Sequence, residues 1–532
     1  MHGTLLLALS FVIIYATRKF LAFREAVRLI QDHPGPRLVL SPLIGTFLPK
    51  IKYFTAGSNH AYEDRHEKFA AAGWDIYVTE VTNSRARFPK PVHHYGVLSF
   101  YGDNIVASEG EQWKKYRKIC KLIEFWAFDL FELIPISRSA LVWDETVDVV
   151  RGLCDDHWEG RKVIEVDNFV DISLSVRPDI INSTPDAYIL FSGFGKKISW
   201  KDDAEPPAGH LMTFKESMRI VTADIMFKIA CPGWMMSLTK RLRRARLAFK
   251  ELRSYMVEMI EERQKSQKTE HHDLFTGLLR ENDHAVDFST LTEDELIGNV
   301  YVFLVAGHEV STGHTLAFTF ALLALYPDEQ EKLLEQIRSV IPEGHDPKYR
   351  DMNLLTYATA VMYESMRMYP VLNHIPKTSI EDTTLVATNS NGDKITVPVP
   401  KGTDINILAA GLHYNPRYWE DPHSFRPARF LKDWPRDAFF PFSAGARACL
   451  GKKYVVHKFM EYQYISSPYF NVIFRFFETE AVATLAMLVS RYKITIKEEP
   501  QFAGETFEQR KTRVMACERF LTTVYDTFFR GF

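Results

Sequence analysis

Cys449 sits in a glycine-rich turn, Pro441-Phe442-Ser443-Ala444-Gly445-Ala446-Arg447-Ala448-Cys449-Leu450-Gly451, whose marked positions read Phe-x-x-Gly-x-Arg-x-Cys-x-Gly. A cysteine does chemistry as its thiolate, which backbone N–H groups of a turn and the start of a following helix both favour. Glycines at 445 and 451 let the backbone pass close to a ligand, where a Cβ would clash. Arg447 adds a planar cation suited to a carboxylate. The plainer alternative is a structural cysteine in an ordinary turn; five set positions in ten arise by chance in about one chain in ten thousand. A second cluster, Ala306-Gly307-His308-Glu309-Val310-Ser311-Thr312, places an acid just before two alcohols inside an apolar stretch, an arrangement that can loosen a helical ladder and relay protons. Two further pairs, Trp113-x-x-x-Arg117 and Glu364-x-x-Arg367, have ordinary helix-neighbour spacing, and by themselves they imply a surface contact and a salt bridge.

Together these stretches resemble the cytochrome P-450 monooxygenases, with wording and spacing closest to fungal microsomal members. The resemblance makes the turn a haem-binding loop, with Cys449 as the iron ligand, Phe442 as an apolar screen over the sulfur, Gly445 and Gly451 giving close approach, and Arg447 facing a propionate. Such a thiolate pushes electron density through the iron and favours O–O cleavage. Trp113 and Arg117 resemble the helix pair that reaches the other propionate, and Glu309 the acid that delivers protons. The family's alcohol follows the acid directly, whereas Val310 stands there in this chain. An extra residue absorbed as one wide helical turn would pass the role to Ser311 or Thr312. Glu364 and Arg367, with Arg429 of the Phe425-Arg426-Pro427-Ala428-Arg429-Phe430 segment, resemble the structural triad that braces the haem loop, and substrate-facing residues are expected around Val371 to Lys377. What this implies is haem b (iron protoporphyrin IX), O2, a hydrophobic organic substrate, and electrons from NADPH-cytochrome P-450 reductase docked near Lys452 and Lys453. Two alternatives stay open: a haem-thiolate isomerase or peroxygenase that does not use O2, which Val310 permits, and a haem-free, inactive product.

The elements that must hold these residues follow from periodicity and composition. With 532 residues, 46% hydrophobic, 25% charged and a formal charge of −2, the chain has ample core and no overall basic signal for nucleic acid. Its five scattered cysteines (120, 154, 231, 449 and 517) fit a reducing compartment. The resemblance implies a mostly α fold with a small β-sheet, one haem domain over 38–532. Before it, the apolar run Thr4–Ala16 followed by Arg18 and Lys19 suggests a membrane anchor over 1–19, and 20–37 a linker with the Pro34-Gly35-Pro36 hinge. That charge order leaves the catalytic domain cytosolic, and the resemblance to microsomal members implies the endoplasmic reticulum membrane. Asp75–Val81 reads as a strand, and 212–263 as two helices broken at Cys231-Pro232-Gly233-Trp234, the second opening on the basic cluster 240–246. Thr292-Glu293-Asp294-Glu295 is a capping box opening a long helix to Tyr326. Thr383–Leu408 alternates around Asn391-Gly392 as a hairpin would.

Three apolar, aromatic stretches interrupt matching sequence: 122–136, 177–190 and 454–476. The first stands where a short turn into a helix near Leu141 is expected; the last carries Ser466-Ser467-Pro468 where a helix should follow Cys449 directly, and proline breaks helices. Such stretches look like translated intron, an idea that their absence from the mature transcript would uphold and their presence would sink. The tail after Met515 is expected to lack the family's strand-turn-strand ending.

Overall fold

The computed structural model describes residues 2–29, 75–76, 81–82, 84, 86–129, 138–158, 161–165, 206–265, 291–306, 312–388, 392–450, 476–515, 517–520 and 526–529. The chain forms two compact units, one of Met1–Pro91, Leu372–Ser424 and Pro435–Ala448, the other of Val92–Val371, Phe425–Trp434 and Cys449–Phe532.

The first unit begins with helix α1 (His2–Leu29). The helix runs on through Arg18 and Lys19, with Arg24, Glu25 and Arg28 in its second half, and exposes Ile13, Ile14, Tyr15, Phe20 and Leu21. The expected anchor over 1–19 is therefore corrected in this respect: among the described residues no helix is long and apolar enough to cross a membrane. The physical reason is the short apolar run: thirteen residues from Thr4 to Ala16 rise about 20 Å, against roughly 30 Å of hydrocarbon. Strands β1 (Asp75–Ile76), β2 (His374–Thr378), β3 (Thr383–Thr388), β4 (Lys394–Val399) and β5 (Asp404–Leu408) form two antiparallel sheets, β1-β3-β4 and β2-β5. The expected hairpin is β3-β4, with Leu385 opposite Val397 and Gly392 at φ 90° in its turn, a conformation that glycine adopts freely. The strand expected over Asp75–Val81 is described only at its first two residues; Val81 is helical and buried with Phe88, Leu385, Val399, Ile407 and Phe440.

The second unit is mainly helical: α2 (Gly110–Asp129), α3 (Arg138–Gly152), α4 (Phe214–Ala230), α5 (Lys240–Lys265), α6 (Glu293–Leu304), α7 (Thr312–Leu325), α8 (Pro327–Val340), α9 (Thr356–Met368), α10 (Phe476–Arg491) and α11 (Phe507–Val514). The pair α4 and α5 breaks where Pro232 and Gly233 forbid helix, as the sequence implied. The first interrupting stretch behaves otherwise than expected. Instead of a turn after Ile119, α2 continues to Asp129, and α3 starts at Arg138. The stretch 177–190 lies outside the described residues, as does 454–475. The tail also corrects the sequence reading, because β6 (Cys517–Phe520) and β7 (Asp526–Phe529) pair antiparallel, Cys517 opposite Phe529. Phe520 and the Thr527-Phe528-Phe529 run supply aromatic and β-branched residues that suit a ladder.

Thr292 caps α6 as a full capping box, its side chain taking the Glu295 N–H while Glu295 takes the Thr292 N–H at 2.8 Å. Nearly all of α6 and α7 is buried, which is why these helices read as apolar all round. Where α6 ends, Val305 and Ala306 have wide, π-helical backbone, the means by which a helix takes in one extra residue. The main core gathers Trp113, Tyr116 and Ile119 of α2, Met218 and Val221 of α4, Phe249 and Leu252 of α5, and Val300, Tyr301 and Leu304 of α6; Leu450 and Val371 pack against it.

Helix α10 follows the cysteine loop in sequence and is docked in this unit. Ala481, Val482, Ala483, Leu485 and Ala486 are fully buried, and Arg491 at its end pairs with Asp155 at 2.9 Å and Asp346 at 3.1 Å. Gln330 of α8 bridges Leu323 O at 3.0 Å and both backbone groups of Ile494, just beyond α10.

Candidate functional site

The cysteine loop is built by backbone geometry that Gly445 and one serine adopt. Ser443 (φ 58°) and Gly445 (φ 68°) both lie in the left-handed region, and a 3₁₀ turn over Gly445–Arg447 closes with the Ala448 N–H donating to Gly445 O at 3.1 Å. For glycine that conformation is cheap; for Ser443 it costs on the order of 1–2 kcal/mol, a strain that surrounding structure must hold. Phe442 and Arg447 are half-buried. Cys449, next along the chain, is exposed and forms no disulfide, and its neighbour Leu450 is anchored in the main core of the second unit. Gly451 lies outside the described residues.

Behind the loop stands a residue that the sequence reading missed. His413 is fully buried, stacks on Phe439, and accepts the Phe440 N–H on Nε2 at 2.7 Å. A ring nitrogen that accepts carries no proton, so the imidazole is held with any ring proton on Nδ1. Its only signal in the sequence is a histidine beside Tyr414-Asn415-Pro416, which periodicity does not single out.

The expected triad is assembled as a buried ion cluster. Arg367 makes a two-pronged pair with Glu364, Nε to Oε2 at 2.7 Å and Nη2 to Oε1 at 3.0 Å, both side chains wholly shielded from solvent. Arg429 donates from Nε to Glu364 Oε1 at 3.0 Å, and the Arg426 backbone N–H reaches the same oxygen at 2.9 Å. One carboxylate thus serves two guanidinium groups and a backbone amide. Burial, only partly offset by Glu364, lowers the pKa of Arg429 from its ordinary value. One residue before Glu364, Tyr363 donates its hydroxyl to Glu478 of α10 and stacks edge-on with Phe430 and Trp434.

Trp113 and Arg117 lie buried, one helical turn apart, on α2. Of the proton-delivery candidates, Glu309 and Ser311 fall within 307–311, outside the described residues. Thr312 opens α7, buried, and its Oγ1 donates to Glu480 Oε2 at 2.8 Å. That bond ties the alcohol to α10. Lys377, at the end of the expected substrate-facing run, is buried in β2.

The donor set suits an iron porphyrin. An exposed thiol is the soft ligand such iron takes. Arg447 in the same loop, and the buried Arg117 of α2, are cations of the shape that carboxylates pair with. The sequence pattern of the family described as Cytochrome P450 matches residues 75–454. This chain belongs to the cytochrome P450 family. Membership makes it an oxygen-incorporating oxidoreductase with haem iron as its cofactor. The match ends at Tyr454, the residue where the interrupting stretch after the cysteine loop begins. The chain is similar over nearly its whole length to Cytochrome P450 monooxygenase 124 of Postia placenta, 42% identical over 98% of both chains. It is also similar to Cytochrome P450 monooxygenase prx9 of Penicillium rubens, 27% identical over 75% of this chain and 71% of that one. Among solved structures, the cytochrome P450DA heme domain covers 78% of this P450 chain and 80% of its own, with TM-score 0.57 and 21% identity, a likeness of fold.

Proposed function

We propose that this P450 holds haem b through the Cys449 thiolate and inserts one atom of O2 into a hydrophobic organic substrate, RH + O2 + NADPH + H⁺ → ROH + H2O + NADP⁺. The observation that carries the reading is the exposed Cys449 at the end of a turn held open by two left-handed residues. When bound, the haem supplies oxygen activation, which a thiolate ligand favours. The residues of this chain do the rest. Phe442 would screen the sulfur from water; Arg447, Trp113 and Arg117 would hold the haem's propionates; Glu309 with Ser311 or Thr312 would pass protons inward from solvent. Glu364, Arg367 and Arg429 keep the segment that precedes the loop from shifting. The electrons come from NADPH-cytochrome P-450 reductase docked near Lys452 and Lys453, and helix α1, whose apolar side chains face outward, holds the chain at the endoplasmic reticulum membrane with the catalytic part cytosolic.

The test is the absorption spectrum of the reduced protein under carbon monoxide, followed by turnover with reductase. A strongly red-shifted Soret band supports a thiolate ligand, and its loss in Cys449→Ser assigns that ligand. A chain that shows no such band, or that turns over a hydroperoxide but not NADPH and O2, is not the monooxygenase proposed.

A further inference from the structure

The N-terminal turn of α6 grips α2 and the loop before it more closely than packing alone requires. Gly298 of α6 lies against the backbone of Gly102 and Asp103: a Cβ built on it would stand 2.5 Å from Gly102 O and 2.7 Å from Asp103 O. The approach is reciprocal, since a Cβ on Gly102, at φ 142°, would stand 1.8 Å from Asp294 O. Neither position accepts any side chain without moving backbone. One residue on, Asn299 accepts the Ile105 N–H on Oδ1 at 3.0 Å and donates back to Glu295 O at 2.7 Å. Asn104 folds the loop on itself, donating to Leu98 O at 2.8 Å and accepting from Ala107 N–H at 2.9 Å.

The same helical turn also holds α2. Glu295, already bound to the Thr292 N–H, takes Lys115 Nζ at 2.8 Å and the Tyr116 hydroxyl at 2.7 Å. Gln112 links α2 to the loop, donating to Asp103 Oδ2 at 2.7 Å. Lys115 and Tyr116 lie between Trp113 and Arg117 in sequence. At its far end α6 runs into the wide turn at Val305 and Ala306, and Val305, Trp113 and Ile105 share one core with Leu450, the residue after Cys449.

We infer that Gly298 and Glu295 are positioning residues for the oxygen insertion: they index the turn of α2 that carries Trp113 and Arg117 to helix α6. The inference rests on the monooxygenase reading above. A helix register fixed at one end by backbone contact and a three-donor carboxylate leaves no freedom for the two elements to slide. Sliding by about 1 Å is the scale at which oriented reactions lose rate. Its signature is uncoupling, in which NADPH reduces O2 without substrate oxidation, O2 + NADPH + H⁺ → H2O2 + NADP⁺.

The experiment compares Gly298→Ala, Glu295→Gln and a control, Lys114→Ala, which changes an exposed residue of α2. Product formed per NADPH is measured at equal amounts of the carbon monoxide band, with hydrogen exchange over residues 112–119 followed on the same samples. Expected are a fall in coupling of about tenfold for Gly298→Ala and a smaller fall for Glu295→Gln, with peroxide rising in step, faster exchange over 112–119, and no change in the control. If Gly298→Ala gives no haem band, Glu295→Gln is judged by the same criteria. Coupling equal to wild type in the haem-loaded variants, with only the melting temperature lowered, overturns the inference. So does unchanged exchange over 112–119, a readout that needs no haem and so separates this failure from failure of the monooxygenase reading.

Discussion

At the scale of single residues, Glu364 is the centre of the buried ion cluster that joins α9 to Arg426 and Arg429. It is one anion facing the wholly buried Arg367 and the partly buried Arg429, so Glu364→Ala strands a buried cation and costs about 3 kcal/mol. Chemical unfolding monitored by circular dichroism should show that loss, whereas truncating an exposed pair such as Lys265 and Glu261 costs less than about 1 kcal/mol. Glu295 gives a pH prediction. Burial alone would raise its pKa; the Lys115, Thr292 and Tyr116 bonds outweigh that and lower it from the ordinary carboxylate value. A carboxylate lowered on folding stabilises above its unfolded pKa, near 4.3, and that contribution fades as pH falls through the folded value. An acid titration should therefore find wild type losing stability more steeply than Glu295→Gln below about pH 4, with the two curves running parallel above it. These residues were unequally legible. Glu364-x-x-Arg367 and Cys449 stand in patterns, so spacing found them; His413 acts through one backbone amide 27 residues away, and no pattern marks such a partner.

At the scale of elements, the sequence conveyed helices whose ends carry their own chemistry. Thr292 and Glu295 announce α6, and Pro232-Gly233 announces the break between α4 and α5, because caps and breakers are local. The length of α2 was not legible. Leu122–Phe128 is apolar and aromatic, which reads equally as strand, core helix or foreign insertion, and only the continued backbone ladder to Asp129 decides. The closing β6-β7 pair was missed because strands of four residues leave too few alternations to register. The bond from Thr312 to Glu480 joins the start of α7 to α10, and it gives a prediction of this scale. Thr312→Val leaves a partly buried carboxylate short of one donor, so thermal melting should fall by an amount worth about 1 kcal/mol. Comparable product per NADPH in that variant would assign Thr312 to docking α10; a rise in peroxide would assign it to proton delivery.

At the scale of the whole molecule, two compact units are laced through one another along the sequence, so that the cysteine loop begins in one and ends in the other between Ala448 and Cys449. Sequence comparison reads such lacing poorly, because residues adjacent in the chain belong to different cores. Family membership was nonetheless plain, since the motifs that carry it are short runs of sequence. The N-terminal helix makes the prediction proper to this scale. Its outward Ile13, Ile14, Tyr15, Phe20 and Leu21 have no role in either core. The membrane attachment proposed for α1 predicts that the full chain sediments with membranes and that removing residues 2–29 moves it to the soluble fraction, with its circular dichroism otherwise in proportion. Retention in the pellet after truncation would assign membrane attachment to another surface.

Ser443 and Gly445 share a backbone handedness that ordinary amino acids resist, and the turn spends them two residues apart. Inverting the chirality of a residue inverts which of the two hands it prefers, so a D-serine introduced at 443 by peptide ligation would meet this backbone in its own preferred conformation. The loop that presents Cys449 is thus a place in the chain where the mirror-image building block is the better fit, and semisynthesis there could stiffen the turn without touching the thiol.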